Sequence, residues 1–316
     1  MFSDPDIRAG RGFEVEAGER LKELKLEKGA IGIVGPYAGF SRLTIPSEHR
    51  DYFTRTLSGA KFENVTDRYE NLRLVKSSEE IRLMEKAGAL SDLAHEEIFL
   101  ATRPGIRHTD LRRVIGDVAN RFGGFYPFSH ISSTSMEDPE GFYPDFYPTH
   151  QTIEKGHVVM TEICLGYGNY FGKLWGTYFV GEPAPEYRRM FDFAAALHDR
   201  VIGDLKPGMR GREINGYMEA FRDSGFRPQG TILNGWSTYN HAPICGALEG
   251  TPLAARVQPF QDFEFKPGHC LTIIIWPSIP GTKKGLWVGS TGVITKDGFK
   301  KFHSYPINQL RVVPAS

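Results

Sequence analysis

Two side chains of opposite charge stand eleven positions apart in TEICLGYGNYFGKLWGT, Thr161 to Thr177: Glu162 and Lys173. The run around them is mostly aliphatic, aromatic or glycine, so both face burial. The stretch reads as two strands joined by a Gly/Asn-rich turn, a hairpin that carries one charge of each sign. Burying charge is costly, and an apolar pair of similar volume is often as stable. A retained pair in such a setting points to chemistry. Lys173 can serve as a general base, as a cationic anchor for a substrate carboxylate or oxyanion, or as a Schiff-base nucleophile. Glu162 would orient it or shuttle a proton. The alternative is a purely structural ion pair.

Other side chains are candidates of the same kind. His130, in FSHISST, starts a strand and is either an acid/base group or a core imidazole. Asp145 and His150 belong to an aromatic-rich loop, GFYPDFYPTH, whose Phe142, Tyr143, Phe146 and Tyr147 can line the mouth of a site for an apolar or aromatic molecule. The competing reading is a Pro-stiffened surface loop or dimer contact. Three local signals carry no chemistry. GYGNYFG is Gly-rich but leads from strand to hairpin, not strand to helix, so it is no dinucleotide loop. Residues 283–285, KKG, read as a solvated turn. Cys164 has strand neighbours and no evident base, so it reads as core.

Composition narrows the class. With 38 basic and 38 acidic residues the charges cancel, which argues against a phosphate-tracking surface and hence against nucleic acid as a partner. The longest strongly apolar run, Cys270 to Trp276, is far too short to span a bilayer. The N-terminal stretch MFSDPDIRAGRG lacks the apolar core of a signal peptide. Cys164, Cys245 and Cys270 are odd in number and without CxxC spacing, which fits reduced thiols in the cytoplasm.

The elements that must position these residues follow from periodicity. Residues 1 to 75 predict a small α/β unit: helix in GERLKELKLEK, strand in AIGIVG, helix in SEHRDYFTRTLSG, strand in AKFENV. A long helix opens in KSSEEIRLMEKAG. There Ser77 and Glu80 have capping-box spacing, and Ile81, Met84, Ala87, Leu90, Ala94 and Ile98 share a face. The strongest signal is an internal repeat. LSDLAHEEIFLATRPGIRHTDLRRVIGDVANRFGGF resembles LHDRVIGDLKPGMRGREINGYMEAFRDSGF. Each half predicts a helix, a Pro-Gly stop at 104–105 or 207–208, a second helix, and Gly-Phe leading to a strand; Thr109 and Asp110 are placed to start the second helix of the first half. Strands are predicted at 127–133, 157–166, 173–180, 269–276 and 285–295. Helices precede strands in each half, so the class is α+β: a pseudo-twofold repeat of two αα-plus-strand halves with its site between them.

These residues resemble the creatinase/prolidase/methionine aminopeptidase superfamily, the pita-bread fold. The resemblance runs from Lys76 to about Val313. It rests on KSSEEIRLMEKAG, the two PG-[IM]-R segments, IEKGHVVMTEICLGYGNYFGKLWGTYFVGEP, FKPGHCLTIIIWPSIPG and GVITKDG. It implies a pita-bread domain over 76–316, preceded over 1–75 by a shortened form of the family's N-terminal domain. Its peptidases bind two divalent metals with two Asp, one His and two Glu. Carried over position by position, the first Asp falls on Glu162 and the second on Lys173. The His falls near Trp236, the next Glu on Trp276 and the last on Gly289; a further His of the family falls near Asp145 or His150. Indole, glycine and ammonium are not metal donors. The expectation is therefore no metal and no cofactor, with the Lys173 ammonium standing in for the metal charge. The resemblance adds Tyr170, where the family often has Tyr, and His241, just after the lost His, as helpers. Trp236 and Trp276 would make the pocket smaller and more apolar.

The leading expectation is a metal-independent hydrolase or lyase acting on a small, possibly aromatic molecule. Lys173, Glu162, His241, Tyr170 and Asp145 would be catalytic; Trp236, Trp276, Phe146, Tyr147, His150 and His130 would bind substrate. The alternatives are a non-catalytic relative used for binding or assembly and, more weakly, an Xaa-Pro-type metallopeptidase. The last would need the dense local group Asp262, Glu264, Glu249 and His241, whose spacing fits no zinc pattern. A homodimer is expected from the resemblance.

Overall fold

The structure is a computed structural model that describes residues 10, 12–35, 45–141, 151–236 and 240–314, with the side chains of 240 and 241 outside the description. It divides into two compact units, Met1–Arg73 and Leu74–Ser316. The first unit holds α1 (Phe13–Glu23), β1 (Ala30–Ile33), α2 (Ser47–Thr56) and β2 (Lys61–Asn64), then α3 (Thr66–Leu74). β1 and β2 pair in parallel from Ala30↔Lys61 to Ile33↔Asn64. The helix α3 has no counterpart in the sequence reading. It starts where Asn64 Oδ1 accepts the Thr66 amide at 3.0 Å and its hydroxyl at 2.7 Å.

The second unit opens with α4 (Ser78–Ala101), whose N-cap Ser77 forms the capping box with Glu80. Five of the six residues named for its apolar face, Met84, Ala87, Leu90, Ala94 and Ile98, are buried. Then come α5 (His108–Arg121), β3 (Phe125–Ser135), β4 (His157–Tyr167) and β5 (Tyr170–Val180). The second half follows: α6 (Pro185–Asp204), α7 (Gly211–Asn215), α8 (Met218–Ser224), β6 (Arg227–Pro228), β7 (Leu233–Trp236), β8 (Asn240–Cys245) and α9 (Pro252–Val257). The chain ends in β9 (Cys270–Ile275), β10 (Pro277–Ser278), β11 (Val288–Thr295), β12 (Gly298–Lys301) and β13 (Val312–Val313). Gly105 and Gly208, at φ of 84° and 88°, make the two Pro-Gly stops work, because only glycine enters that region without strain.

Two expectations need correction. The N-cap of α5 is Arg107, not Thr109 or Asp110, and no side chain caps it; Arg107 instead holds Asp110 through two 2.9 Å bonds. The single second helix expected in the second half is split into α7 and α8, with Gly216 at the C-cap of α7 and Tyr217 at the N-cap of α8.

Among the described residues, one sheet runs in the order β3-β4-β5-β11-β9-β7-β8, with β12 on β11 and β13 on β5. Helices α4 and α5 form a core with Ile131, Ile163, Leu165 and Tyr178; α6 does so with Leu271, Ile273, Ile275 and Val288. Strand alternation sends the residues between these to the other face. That face carries the candidate site. The helix α4 reaches the sheet closely at Gly172, where an added Cβ would stand 2.3 Å from the Gly88 amide nitrogen. There Ser91 Oγ donates to the Gly172 carbonyl at 2.7 Å and accepts the Leu165 amide at 3.0 Å, clasping both strands of the hairpin that bears Glu162 and Lys173.

Candidate functional site

The β4–β5 register pairs Cys164 with Lys173 and Glu162 with Trp175, so the acid and the base are diagonal neighbours on one face. Lys173 Nζ lies 2.9 Å from Glu162 Oε1, with the side chains 3 % and 12 % exposed. The ammonium also faces aromatic rings: Trp175 at 4.4 Å, Trp236 at 4.6 Å and Phe128 at 5.5 Å from the ring centroids. In a buried setting such contacts are worth about 2 kcal/mol or more. Carboxylate and rings together replace much of the water that a lysine gives up on burial. This explains how an apolar hairpin holds both signs of charge.

The floor of the site follows from what surrounds it. Gly289 pairs with Trp175 on one side and Ile274 on the other. A Cβ at 289 would stand 2.9 Å from the Trp175 ring, so the indole occupies the space that a side chain there would fill. Trp236 is fully buried and its Nε1–H donates to the Phe171 carbonyl at 2.8 Å. Trp276 follows β9, half-buried, with its ring edge-on to Trp287 at 5.1 Å. His130 pairs in register with Glu162 and sits against the Phe128 ring at 5.3 Å. Trp175 and Phe128 were missed in the sequence. Period-two alternation from Lys173 and from His130 was the signal that could have found them.

Tyr170 packs against the cluster that holds Cys164 and Trp236, and its hydroxyl donates to Glu80 Oε1 at 2.9 Å. Asp145, His150 and the aromatic residues Phe142, Tyr143, Phe146 and Tyr147 lie outside the described residues, as does the side chain of His241, whose backbone runs in β8 opposite Gly235. The acids Asp262 and Glu249 are exposed and engaged with arginines, Asp262 with Arg212 and Glu249 with Arg222. Burial pushes the Cys164 thiol well above its ordinary range and those of Cys245 and Cys270 up to about 12, so none is a ready nucleophile.

The five positions carried over from the metal-binding relatives are thus Glu162, Lys173, Trp236, Trp276 and Gly289. Only Glu162 offers an oxygen donor, and one of its oxygens is on Lys173. These side chains do not make a dinuclear donor set, which needs several oxygen or imidazole groups converging on each ion. Among the described residues no group of three or more His, Cys, Asp or Glu is placed to hold a metal ion. Nor, among them, is any helix long and apolar enough to cross a membrane.

Comparison with known proteins places this geometry. An Xaa-Pro dipeptidase of Lactobacillus helveticus is 25% identical over 269 residues, covering 84% of this chain and 70% of that protein. The crystal structure of X-Pro aminopeptidase from Thermotoga maritima MSB8 superposes with a TM-score of 0.77 at 17% identity, over 97% of this chain and 81% of the other. That of a dipeptidase from Pyrococcus horikoshii OT3 gives 0.79 at 18%, over 96% and 79%. The fold is therefore the pita-bread fold of those enzymes. The family model for metallopeptidase family M24 matches residues 82–296, more than half of the chain. The chain belongs to metallopeptidase family M24.

Proposed function

We propose that this member of a hydrolase family works without metal, as a hydrolase or lyase on a small, aromatic organic molecule, with the Lys173–Glu162 pair supplying the electrostatics of the site. The observation that carries the reading is the Lys173 ammonium, 2.9 Å from Glu162 and faced by the rings of Trp175 and Trp236 at 4.4 and 4.6 Å. Every neighbour named there stabilises a cation. Of the three roles open to Lys173, this favours a fixed positive charge that anchors a substrate carboxylate or a developing oxyanion over a neutral amine nucleophile. Glu162, partly exposed and register partner of His130, would hand on the proton. The aromatic walls suit an aromatic substrate.

The test is an assay of the purified chain on N-benzoylglycine and on glycylproline, each with chelator and with added manganese. The expected result is turnover of the aromatic amide that chelator leaves intact, lost in both Lys173→Ala and Lys173→Arg. Manganese-dependent cleavage of glycylproline, abolished by chelator, would overturn the reading in favour of the activity named for the Xaa-Pro dipeptidase relatives. A second reading, a binding protein without turnover, is favoured by the 3 % exposure of Lys173. It predicts saturable quenching of tryptophan emission by benzoate with no reaction.

A further inference from the structure

The main chain of Lys173 is held by a line of buried side chains that the proposed chemistry does not use. β11 pairs with β5 at Gly289↔Trp175 and Ser290↔Leu174 only. One position on, the Thr291 carbonyl is taken by the Phe302 amide at 3.0 Å. The Thr291 hydroxyl serves in its place: the Lys173 amide donates to Thr291 Oγ1 over 3.3 Å. Thr291 Oγ1 lies 2.8 Å from His303 Nε2, and His303 Nδ1 lies 2.7 Å from Asp92 Oδ1. The other oxygen of Asp92 accepts the Ser304 amide at 2.5 Å, the Ser304 hydroxyl at 3.0 Å and the Tyr305 amide at 3.2 Å. Thr291, His303 and Asp92 are all buried.

The polarity of this line is determined from its far end. Burial would push the Asp92 carboxyl up, but the hydrogen bonds and charge of His303, with the bonds from Ser304, outweigh that and hold it below its ordinary value. An ionised carboxylate only accepts, so His303 Nδ1 carries the proton. Thr291 Oγ1 takes the second ring nitrogen of His303 on one side and accepts the Lys173 amide through a lone pair on the other. The line ends on the backbone of Lys173, at the point where the ladder between β5 and β11 stops. On the neighbouring residue, Gly172, α4 holds the same strand from the helix side through Ser91.

We propose that Asp92 and His303 are positioning residues that act through Thr291 on the backbone of Lys173, and so fix where its ammonium stands between Glu162 and the ring faces. Its value to catalysis rests on the reading of Lys173 as the working cation, but the positioning itself is testable separately. The experiment uses the full chain labelled with nitrogen-15 on lysine and tryptophan. It compares Thr291→Val, which removes the hydroxyl at constant shape, with Thr291→Ser, which keeps it. The signals read are the Lys173 Nζ resonance and the indole resonances of Trp175 and Trp236, with folding checked by circular dichroism.

The expected result is displaced or lost Lys173 and indole signals in Thr291→Val and wild-type signals in Thr291→Ser. Should Thr291→Val not fold, His303→Gln is read in the same way. Unchanged signals in a folded Thr291→Val or His303→Gln, or equal displacement by Ser and Val, would overturn the proposal. Failure of the catalytic reading looks different. Lys173→Ala would then keep full turnover, whatever Thr291→Val does to the spectra.

Discussion

Two ion pairs in the second unit have opposite surroundings. Lys173 and Glu162 meet on one face of the sheet with side chains 3 % and 12 % exposed, among three rings. Arg212 and Asp262 meet at the surface with 57 % and 77 % exposure. The second pair includes Asp262 of the acidic group weighed above as a metal site, and the first sits in one of the most apolar stretches of the chain. Burial and register, not the local density of charge, separate a site candidate from a solvated contact. A surface pair gains little because water solvates each partner nearly as well. A buried pair is held because each partner is the other's main replacement for water.

That contrast can be broken most easily at Lys173. Lys173→Ala is expected to cost about 3–5 kcal/mol, because it leaves a carboxylate in an aromatic wall without the facing ammonium. A lowered denaturant midpoint at unchanged slope measures it. Lys173→Met combined with Glu162→Gln should recover most of the loss. If Lys173→Ala costs no more than Arg212→Ala, the distinction fails.

Gly172→Ala comes next. The added methyl would meet the Gly88 backbone at 2.3 Å, so the helix must move off the hairpin. A loss of about 1–3 kcal/mol is expected, as for other overpacked sites. Thermal unfolding checks it, and displaced Trp175 and Trp236 signals would show that the clasp at Ser91 helps to place the site.

Acid should act on the buried face before the surface. Burial lowers His95 to about 3 from the ordinary 6.5, opposed by its bond to the Ser91 carbonyl. The folded state holds it neutral while the unfolded chain takes up a proton first. Stability is thus undiminished by His95 above about pH 6.5 and falls as pH drops from there toward 3. Asp92 adds loss in the same direction at lower pH: its folded value lies below the ordinary 3.8, so its contribution is present above that and disappears as pH falls through the folded value. Melting temperature against pH should show the first decline, and His95→Gln should flatten it. The smallest effect is at the surface. Arg212→Ala and Asp262→Ala should each change stability by about 0–1 kcal/mol, and salt should diminish even that.

Local rules made much of this architecture legible. The two Pro-Gly stops, the Ser77–Glu80 capping box and the alternating strands each express a short-range constraint, and each lies where those rules put it. The Glu162–Lys173 contact was legible through the family resemblance, which implied that the two strands pair, and the hairpin register makes the two residues diagonal neighbours. The break between α7 and α8 was not, since GREINGYMEAFRDS keeps a helical pattern across it. The start of α5 was misplaced because the Arg107–Asp110 pair, rather than a hydroxyl cap, tightens its first turn. The line from Asp92 to His303 joins residues 211 positions apart and leaves no local trace. Trp175 as the floor of the site depends on Gly289, which reaches it only through the pairing of β5 with β11.

The central claim is that a protonated amine holds the place where metallopeptidases of this family hold their ions. Elemental analysis of the chain purified in the presence of manganese and zinc tests it most directly, paired with a crystal structure of the same sample. The account predicts far less than one divalent ion per chain and Lys173 Nζ within hydrogen-bond distance of Glu162. Two ions per chain bound at Glu162, with Lys173 turned out of the ring cage, would contradict it.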